Sequence, residues 1–197
     1  MRIAIIKYNA GNIQSVLYAM ERLGVQAEVT DDAEKIRTAD KVIFPGVGEA
    51  SSAMQSLRES GLDKVIKELK QPVFGICVGM QLLCTHSEEN DTVCLGIVPV
   101  PVKKFLATSE KIKIPQIGWN NIYNLKSDLF KEVDNKTYIY NVHSYYAEDS
   151  DYTIAHCYYG LEYAAAVKKD NFYGVQFHTE KSAEAGDKIL RNFIDNI

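Results

Sequence analysis

Short apolar runs alternate along this chain with stretches in which apolar residues recur every three or four positions. "RIAIIKY" at 2–8 reads as a buried strand, and beyond it Ile13, Val16, Leu17, Met20 and Leu23 keep helical spacing until Gly24 supplies a stop. "VQAEVT" and "KVIFPG" predict two further strands with a short acidic helix between them. Residues 52–69 carry one or two amphipathic helices before "PVFGI" returns to the strand pattern. Strands alternating with helices imply a parallel sheet covered on both faces. After residue 136 the pattern changes: "TYIYNV", "YTIAHCYY", "YAAAVKK" and "FYGVQF" lie close together with turn residues between them, as in an antiparallel extension. A last helix, with Ile189, Leu190, Phe193, Ile194 and Ile197 on one face, closes the pattern. The expected fold is therefore α/β: a mostly parallel open sheet flanked by helices, with an antiparallel extension. No repeat, low-complexity tract or linker interrupts it, so residues 1–197 are read as one domain.

Composition narrows the partners. A formal charge of −4, with charged runs of only two or three residues, offers no basic field for nucleic acid. The opening "MRIAIIKYNA" has an apolar run too short for a signal peptide or a bilayer span, so no membrane role is expected and the cytoplasm is the expected compartment. Cys77, Cys84, Cys94 and Cys157 are few for the length and form no CxxC pair, which speaks against disulfides. Cys77, Cys84, His86 and Cys94 lack the close cysteine spacing of a structural zinc site, and no metal is expected. Cys84, seven positions after Cys77, fits a core-facing thiol on the same helix, while Cys94 and Cys157 sit in apolar surroundings.

The stretch "PVFGICVGMQLL" at 72–83 is harder to explain by packing. Cys77 follows a strand and precedes a helix, flanked by Gly75 and Gly79. A small packing cysteine needs no such neighbours. A nucleophile held on a tight strand-to-helix turn does, and the pattern resembles the G-x-S-x-G elbow. A helix amino terminus also favours a thiolate over a thiol. The turn falls at the carboxyl end of a parallel sheet, where open α/β folds gather ligands.

A thiolate nucleophile requires a proton carrier and a group to orient it. "YGVQFHTEKS" at 173–182 offers His178 and Glu180. If that segment is a strand, the two share a face about 6–7 Å apart along the backbone. Taken alone, His-x-Glu is a weak signal; joined to the cysteine turn it is a strong one. An oxyanion needs backbone N–H donors, one from the residue after the nucleophile, Val78, and one from a neighbouring loop. "FPGVGEAS" after the third strand is a candidate, its Gly46 and Gly48 allowing a peptide to turn inward, although an ordinary glycine turn reads the same way. His143, a strand residue among tyrosines, reads as a hydrogen-bonded structural group rather than a second base. Trp119, after Gly118, reads as a loop residue tucked under the loop or at an interface.

"PGVG" at 45–48, "GICVGMQLL" at 75–83 and "GVQFHTEKS" at 174–182 together resemble the signatures of the class I, or triad, glutamine amidotransferases, whose sheet is flavodoxin-like. "AGNIQSV" at 10–16, "PQIGWNN" at 115–121 and "YNVHSYY" at 140–146 are similar to the branch that feeds ammonia to a separate cyclase in histidine biosynthesis. The resemblance implies hydrolysis of glutamine to glutamate and ammonia through a thioester on Cys77, with His178 as acid/base oriented by Glu180, and no cofactor. It implies an oxyanion loop of Gly46 and Val47 with Val78 opposite. It also implies glutamine contacts from Gln81, Glu89, Ser144 and Tyr145. Asn12, Trp119, Tyr140 and Lys181 would face the partner, a (β/α)8-barrel cyclase, in a heterodimer. The alternative is another branch that serves a different synthase, such as that of pyridoxal phosphate formation. The chain departs from the family pattern at Thr179, where proline is expected between His178 and Glu180. It departs again at Lys7 and Asn9, and at Gln116 in place of histidine, all three in segments assigned to the interface.

Overall fold

The computed structural model describes residues 1–9, 12–106 and 112–197. Ala10 and Gly11 of the "AGNIQSV" segment lie outside the described residues. The first half builds β1 (Ile3–Ile6), α1 (Ile13–Arg22), β2 (Ala27–Thr30), α2 (Ala33–Thr38), β3 (Lys41–Gly46), α3 (Ala50–Ser60), α4 (Leu62–Glu68), β4 (Val73–Cys77) and α5 (Val78–Leu83). Then follow β5 (His86–Ser87), β6 (Thr92–Val93), β7 (Pro101–Lys104), β8 (Gln116–Tyr123), β9 (Thr137–His143), β10 (Tyr145–Ala147), β11 (Thr153–Tyr158), β12 (Glu162–Lys169), β13 (Phe172–Val175) and α6 (Ala183–Asn196).

Local chemistry explains where the helices begin and stop. Asp32 caps α2 by accepting from Glu34 N at 2.8 Å and Lys35 N at 3.2 Å, satisfying two of the free N–H groups of the first turn. The apolar stretch after residue 50 is two helices, because Gly61 at φ 72° adopts the left-handed conformation that ends α3 and opens α4. Helix α1 buries Val16, Ala19 and Met20, and α6 buries Ile189, Leu190, Phe193 and Ile194, with Phe193 stacked on Phe74 of β4 at 4.9 Å between ring centroids.

Five strands, in the order β2-β1-β3-β4-β13, are parallel. Every residue of β1, β4 and β13 is buried, as strands covered by helices on both faces must be. β12 then pairs antiparallel with β13, and the sheet continues through β10, β7, β5 and β6, while β11, β8 and β9 form a branch from β12. The parallel half and the antiparallel extension are thus both present. One element differs from expectation: "PQIGWNN" is mostly strand β8 rather than loop, so Trp119 is a strand residue. Gly118 contributes no side chain to the alternation that would have marked it, although the register with β9 runs unbroken from Gln116 to Ile122.

The two glycines around Cys77 have a steric purpose. A Cβ on Gly79 would lie 1.9 Å from the carbonyl oxygen of Phe44 in β3, and one on Gly75 would meet Gly79 and Met80 backbone atoms at 2.9 Å. Helix α5 therefore lies directly on the strands, backbone against backbone. We expect Gly79→Ala to lose about 3 kcal/mol of stability or to fail to fold, since the obstructing atoms belong to the backbone. Gly24→Ala, where the same methyl meets nothing within 4 Å but φ is 69°, should cost about 1 kcal/mol. Denaturant unfolding of both variants beside the parent chain checks the contrast.

Candidate active site

Because α5 is seated so closely, Cys77 must turn the chain from strand to helix within one residue. It does so at φ 54° and ψ −111°, a conformation that a side chain adopts only under constraint. The turn pushes its sulfur to the carboxyl edge of the parallel sheet, where a cavity of about 330 Å³ opens. Val47, Gly48, Cys77, Val78, Gln81 and Glu89 line it from the first half of the chain, and Val142, His143, Ser144, Tyr145, His178 and Lys181 from the second.

His178 and Glu180 arrive from the neighbouring strand, since β13 runs parallel to β4 with Val175 beside Ile76. They are not on a strand: β13 ends at Val175, and residues 179–181 form a single 3-10 turn. The turn is fixed by Ser182, whose hydroxyl donates to His178 O at 2.6 Å and accepts from Tyr140 N at 2.9 Å, while His178 N donates to Tyr140 O at 2.9 Å. Within it the imidazole Nδ1 meets Glu180 Oε1 at 2.8 Å, both residues being buried. The spacing seen in the sequence therefore delivers the expected contact by a different backbone path. Thr179, where proline was expected, is fully buried, and the turn forms without the proline ring.

The electrostatics of this trio follow from its contacts. Burial pushes the His178 imidazolium down. Hydrogen bonds to Cys77 and Glu180, and the charges of those two groups, outweigh burial and raise it from 6.5 to about 10. His143, also at the cavity, is driven the other way, to about 4, because burial dominates and nearby His178 adds to it. Its Nδ1 lies 2.8 Å from Tyr145 O and its Nε2 3.3 Å from the Tyr163 hydroxyl, the structural role expected of it.

The remaining expected residues divide. Val47 and Val78 face the cavity, whereas Gly46 sits behind them, paired with Cys77 across β3 and β4. Gln81, Glu89, Ser144 and Tyr145 all line the cavity. Glu89 also accepts from Ala50 N at 2.7 Å, so it anchors the start of α3 immediately beyond the "PGVG" loop, and burial raises its carboxyl above the ordinary value. Lys181, assigned to the interface, is exposed and reaches the cavity lining too. Trp119 and Tyr140 meet edge to face at 5.8 Å across β8 and β9. Asn12 opens α1, accepts from the Ser15 hydroxyl, and belongs to a helix packed on the 179–181 turn.

Gln116 requires correction. It was placed in an interface segment, but its side chain points inward, 2% exposed, and accepts from the Tyr163 hydroxyl at 3.0 Å. Strand alternation turns Gln116 in and Ile117 out. Lys7 and Asn9 do lie at the surface, Lys7 facing Asp31 at 3.7 Å and Asn9 N donating to Ser56. Cys84 is a buried free thiol at the C-cap of α5, one residue past its end.

Two features had no signal in the sequence. Gln176, fully buried, donates from Nε2 towards Cys77 Sγ at 3.7 Å. The outer faces of β8 and β9 form an apolar ladder of Ile117, Trp119, Tyr138 and Val142, exposed by 64%, 53%, 60% and 36%, and Val142 joins it to the cavity. Only the register, Ile117 opposite Val142 and Trp119 opposite Tyr140, brings them together.

A sequence model of the class-I glutamine amidotransferases matches residues 4–197, and the chain belongs to that family. Among its relatives, the imidazole glycerol phosphate synthase subunit HisH of Bacteroides fragilis strain YCH46 is 55% identical over 195 residues, covering 99% of this chain and all of the relative. The subunits of the same name from Bacteroides thetaiotaomicron and Pasteurella multocida are 52% and 44% identical, over 99% of this chain and 100% and 98% of their own lengths. A crystal structure of a glutamine amidotransferase superposes with a TM-score of 0.75 at 16% identity, covering 98% of this chain and 97% of the other. Another, from Thermotoga maritima, gives 0.63 at 16% identity, covering 99% and 83%. These two likenesses concern the fold.

The raised His178 yields a test. Its folded value lies above its unfolded one, so the stabilisation from its contacts is fully present below pH 6.5 and is lost as pH rises through about 10. Imidazole NMR should show His178 still protonated at neutral pH. In Cys77→Ala the midpoint should fall, because the strongest upward influence is gone.

Proposed function

We propose that this chain is the glutaminase subunit of imidazole glycerol phosphate synthase, acting as a single amidotransferase domain in the cytoplasm. The observation that carries the proposal is full-length identity of 44–55% to relatives that share that subunit name. The fit between cavity and chemistry supports it. The Cys77 thiolate attacks the side-chain carbonyl carbon of glutamine. His178 gives its Nε2 proton to the departing nitrogen, releasing ammonia and leaving a glutamyl thioester. His178 then takes a proton from water, whose oxygen displaces the sulfur to give glutamate. Glu180 holds the imidazole by Nδ1 and balances its charge. The N–H of Val78, in the first turn of α5 and therefore without a partner in the helix, and a peptide of the Val47–Gly48 loop would hold the oxyanion. Glu89 is the carboxylate available to the substrate ammonium, and Ser144 and Tyr145 form the opposite wall.

The partner would be a cyclase of (β/α)8 architecture that receives the ammonia. The apolar ladder on β8 and β9 fits that contact, since it continues into the cavity wall at Val142 and carries Trp119 and Tyr140 at its centre. Lys181 belongs to the turn packed on β9, and Asn12 opens the helix packed on that turn. The described residues contain no helix long and apolar enough to cross a membrane.

In a reconstituted complex, Cys77→Ala should abolish glutamine-dependent synthesis and leave ammonia-dependent synthesis largely intact. If ammonia fails to rescue a variant that still binds the cyclase, the division of labour is wrong. Glu180→Gln should retain activity reduced by on the order of 10²–10⁴-fold, because the imidazole remains but is misdirected. Trp119→Asp should weaken association at least about 10-fold, measured by calorimetry, while the isolated chain keeps its unfolding midpoint.

A further inference from the structure

The amide of Gln176 has no part in the thiol–imidazole–carboxylate scheme, yet it touches the sulfur. We infer that Gln176 is a further member of the site, a fixed N–H donor that favours the thiolate form of Cys77. This assignment rests on Cys77 being the nucleophile.

Orientation decides the matter, because an amide turned over would present oxygen to the sulfur and oppose a thiolate. The orientation is set by a backbone carbonyl. Tyr145 O can only accept, so the Gln81 amide must turn its Nε2 towards it, at 3.0 Å. The second hydrogen of that Nε2 points at Gln176 at 2.9 Å, and Gln176 must answer with Oε1. Its Nε2 is then left facing Cys77 Sγ, at 3.7 Å, within hydrogen-bond range for sulfur. The same Tyr145 carbonyl lies 2.8 Å from Nδ1 of His143, which burial keeps neutral, so that Nδ1 must carry the hydrogen. Gln176 cannot swing away either: it is fully buried, and its backbone N–H donates to Ala165 O in β12 at 2.8 Å. The polarity of one carbonyl is thus carried through two amides to the nucleophile.

A donor to the charged form stabilises that form, and a donor already in place needs no reorganisation when the sulfur ionises. His178 can serve as a donor only while it is protonated, and it must give its proton away during the reaction. Gln176 holds its hydrogen throughout. It would therefore support the sulfur as a leaving group when the thioester breaks down, at the moment when the imidazole is engaged with water.

The test is the pH dependence of Cys77 alkylation by iodoacetamide, resolved by peptide mass spectrometry, on the full chain and on Gln176→Met and Gln176→Glu. The other titratable groups facing the sulfur are His178 with Glu180 behind it and Tyr8 from the end of β1, with His143, Glu89 and Lys181 around the cavity; the variants leave all of them in place. Gln176→Met should raise the alkylation midpoint by about one unit, so that about tenfold less thiolate is present at a fixed pH below it. Gln176→Glu, nearly the same in shape but with an oxygen towards the sulfur, should raise it further, and it carries the test if the methionine variant does not fold. Midpoints unchanged in variants that melt as folded proteins would overturn the inference. Should Cys77 of the parent chain react no faster than Cys84, Cys94 and Cys157, the nucleophile assignment itself fails, which is a separate result.

Discussion

The contact between helix α5 and the sheet is the constraint on which the rest depends. Gly79 lies against the carbonyl of Phe44 with no room for a methyl group, so the helix starts immediately above β3 and β4. No gentler connection than the single residue Cys77 can join β4 to α5. The strained backbone at that residue follows from packing, and packing makes it affordable: fully buried strands on both sides hold the turn in place. The placement of the sulfur at the cavity and the position of the Val78 N–H both follow from that one approach.

The second half of the chain supplies residues from antiparallel strands and a 3-10 turn. Helix α6 seats that turn, since a Cβ on Gly186 would lie 1.9 Å from Thr179 O, and hydrogen bonds tie it to its neighbours. Ser182 ties the turn to β9, and Gln81 ties α5 to the Tyr145 carbonyl. Backbone contact thus seats both the Cys77 turn and the 179–181 turn. Directional polar bonds, worth about 1 kcal/mol each, join the elements between them.

How far the sequence disclosed this depends on the range of each interaction. The β-α alternation and the glycines around Cys77 are local signals, and they were readable because burial and close approach act on adjacent residues. The spacing of His178 and Glu180 was readable although the strand inferred for it was not there, since two residues' separation allows the contact in either conformation. The inward side chain of Gln116 and the strand β8 are not legible locally, because inward and outward positions are settled by pairing with β9 and β11, not by neighbours in the chain. Gln176 gave no signal at all. A glutamine within a strand-like run has ordinary propensities, and its meaning comes only from the carbonyl of Tyr145, reached through Gln81.

The position of β13 has a consequence for biosynthesis. The last strand in the sequence lies in the middle of the sheet, between β4 and β12, and it delivers His178 and Glu180. A chain still emerging from the ribosome lacks both the strand that flanks β4 on this side and the base that serves Cys77. Sequence-distant pairing of this kind is slow to close. The thiol therefore gains its imidazole only in the final stage of folding, and competence to release ammonia coincides with completion of the sheet.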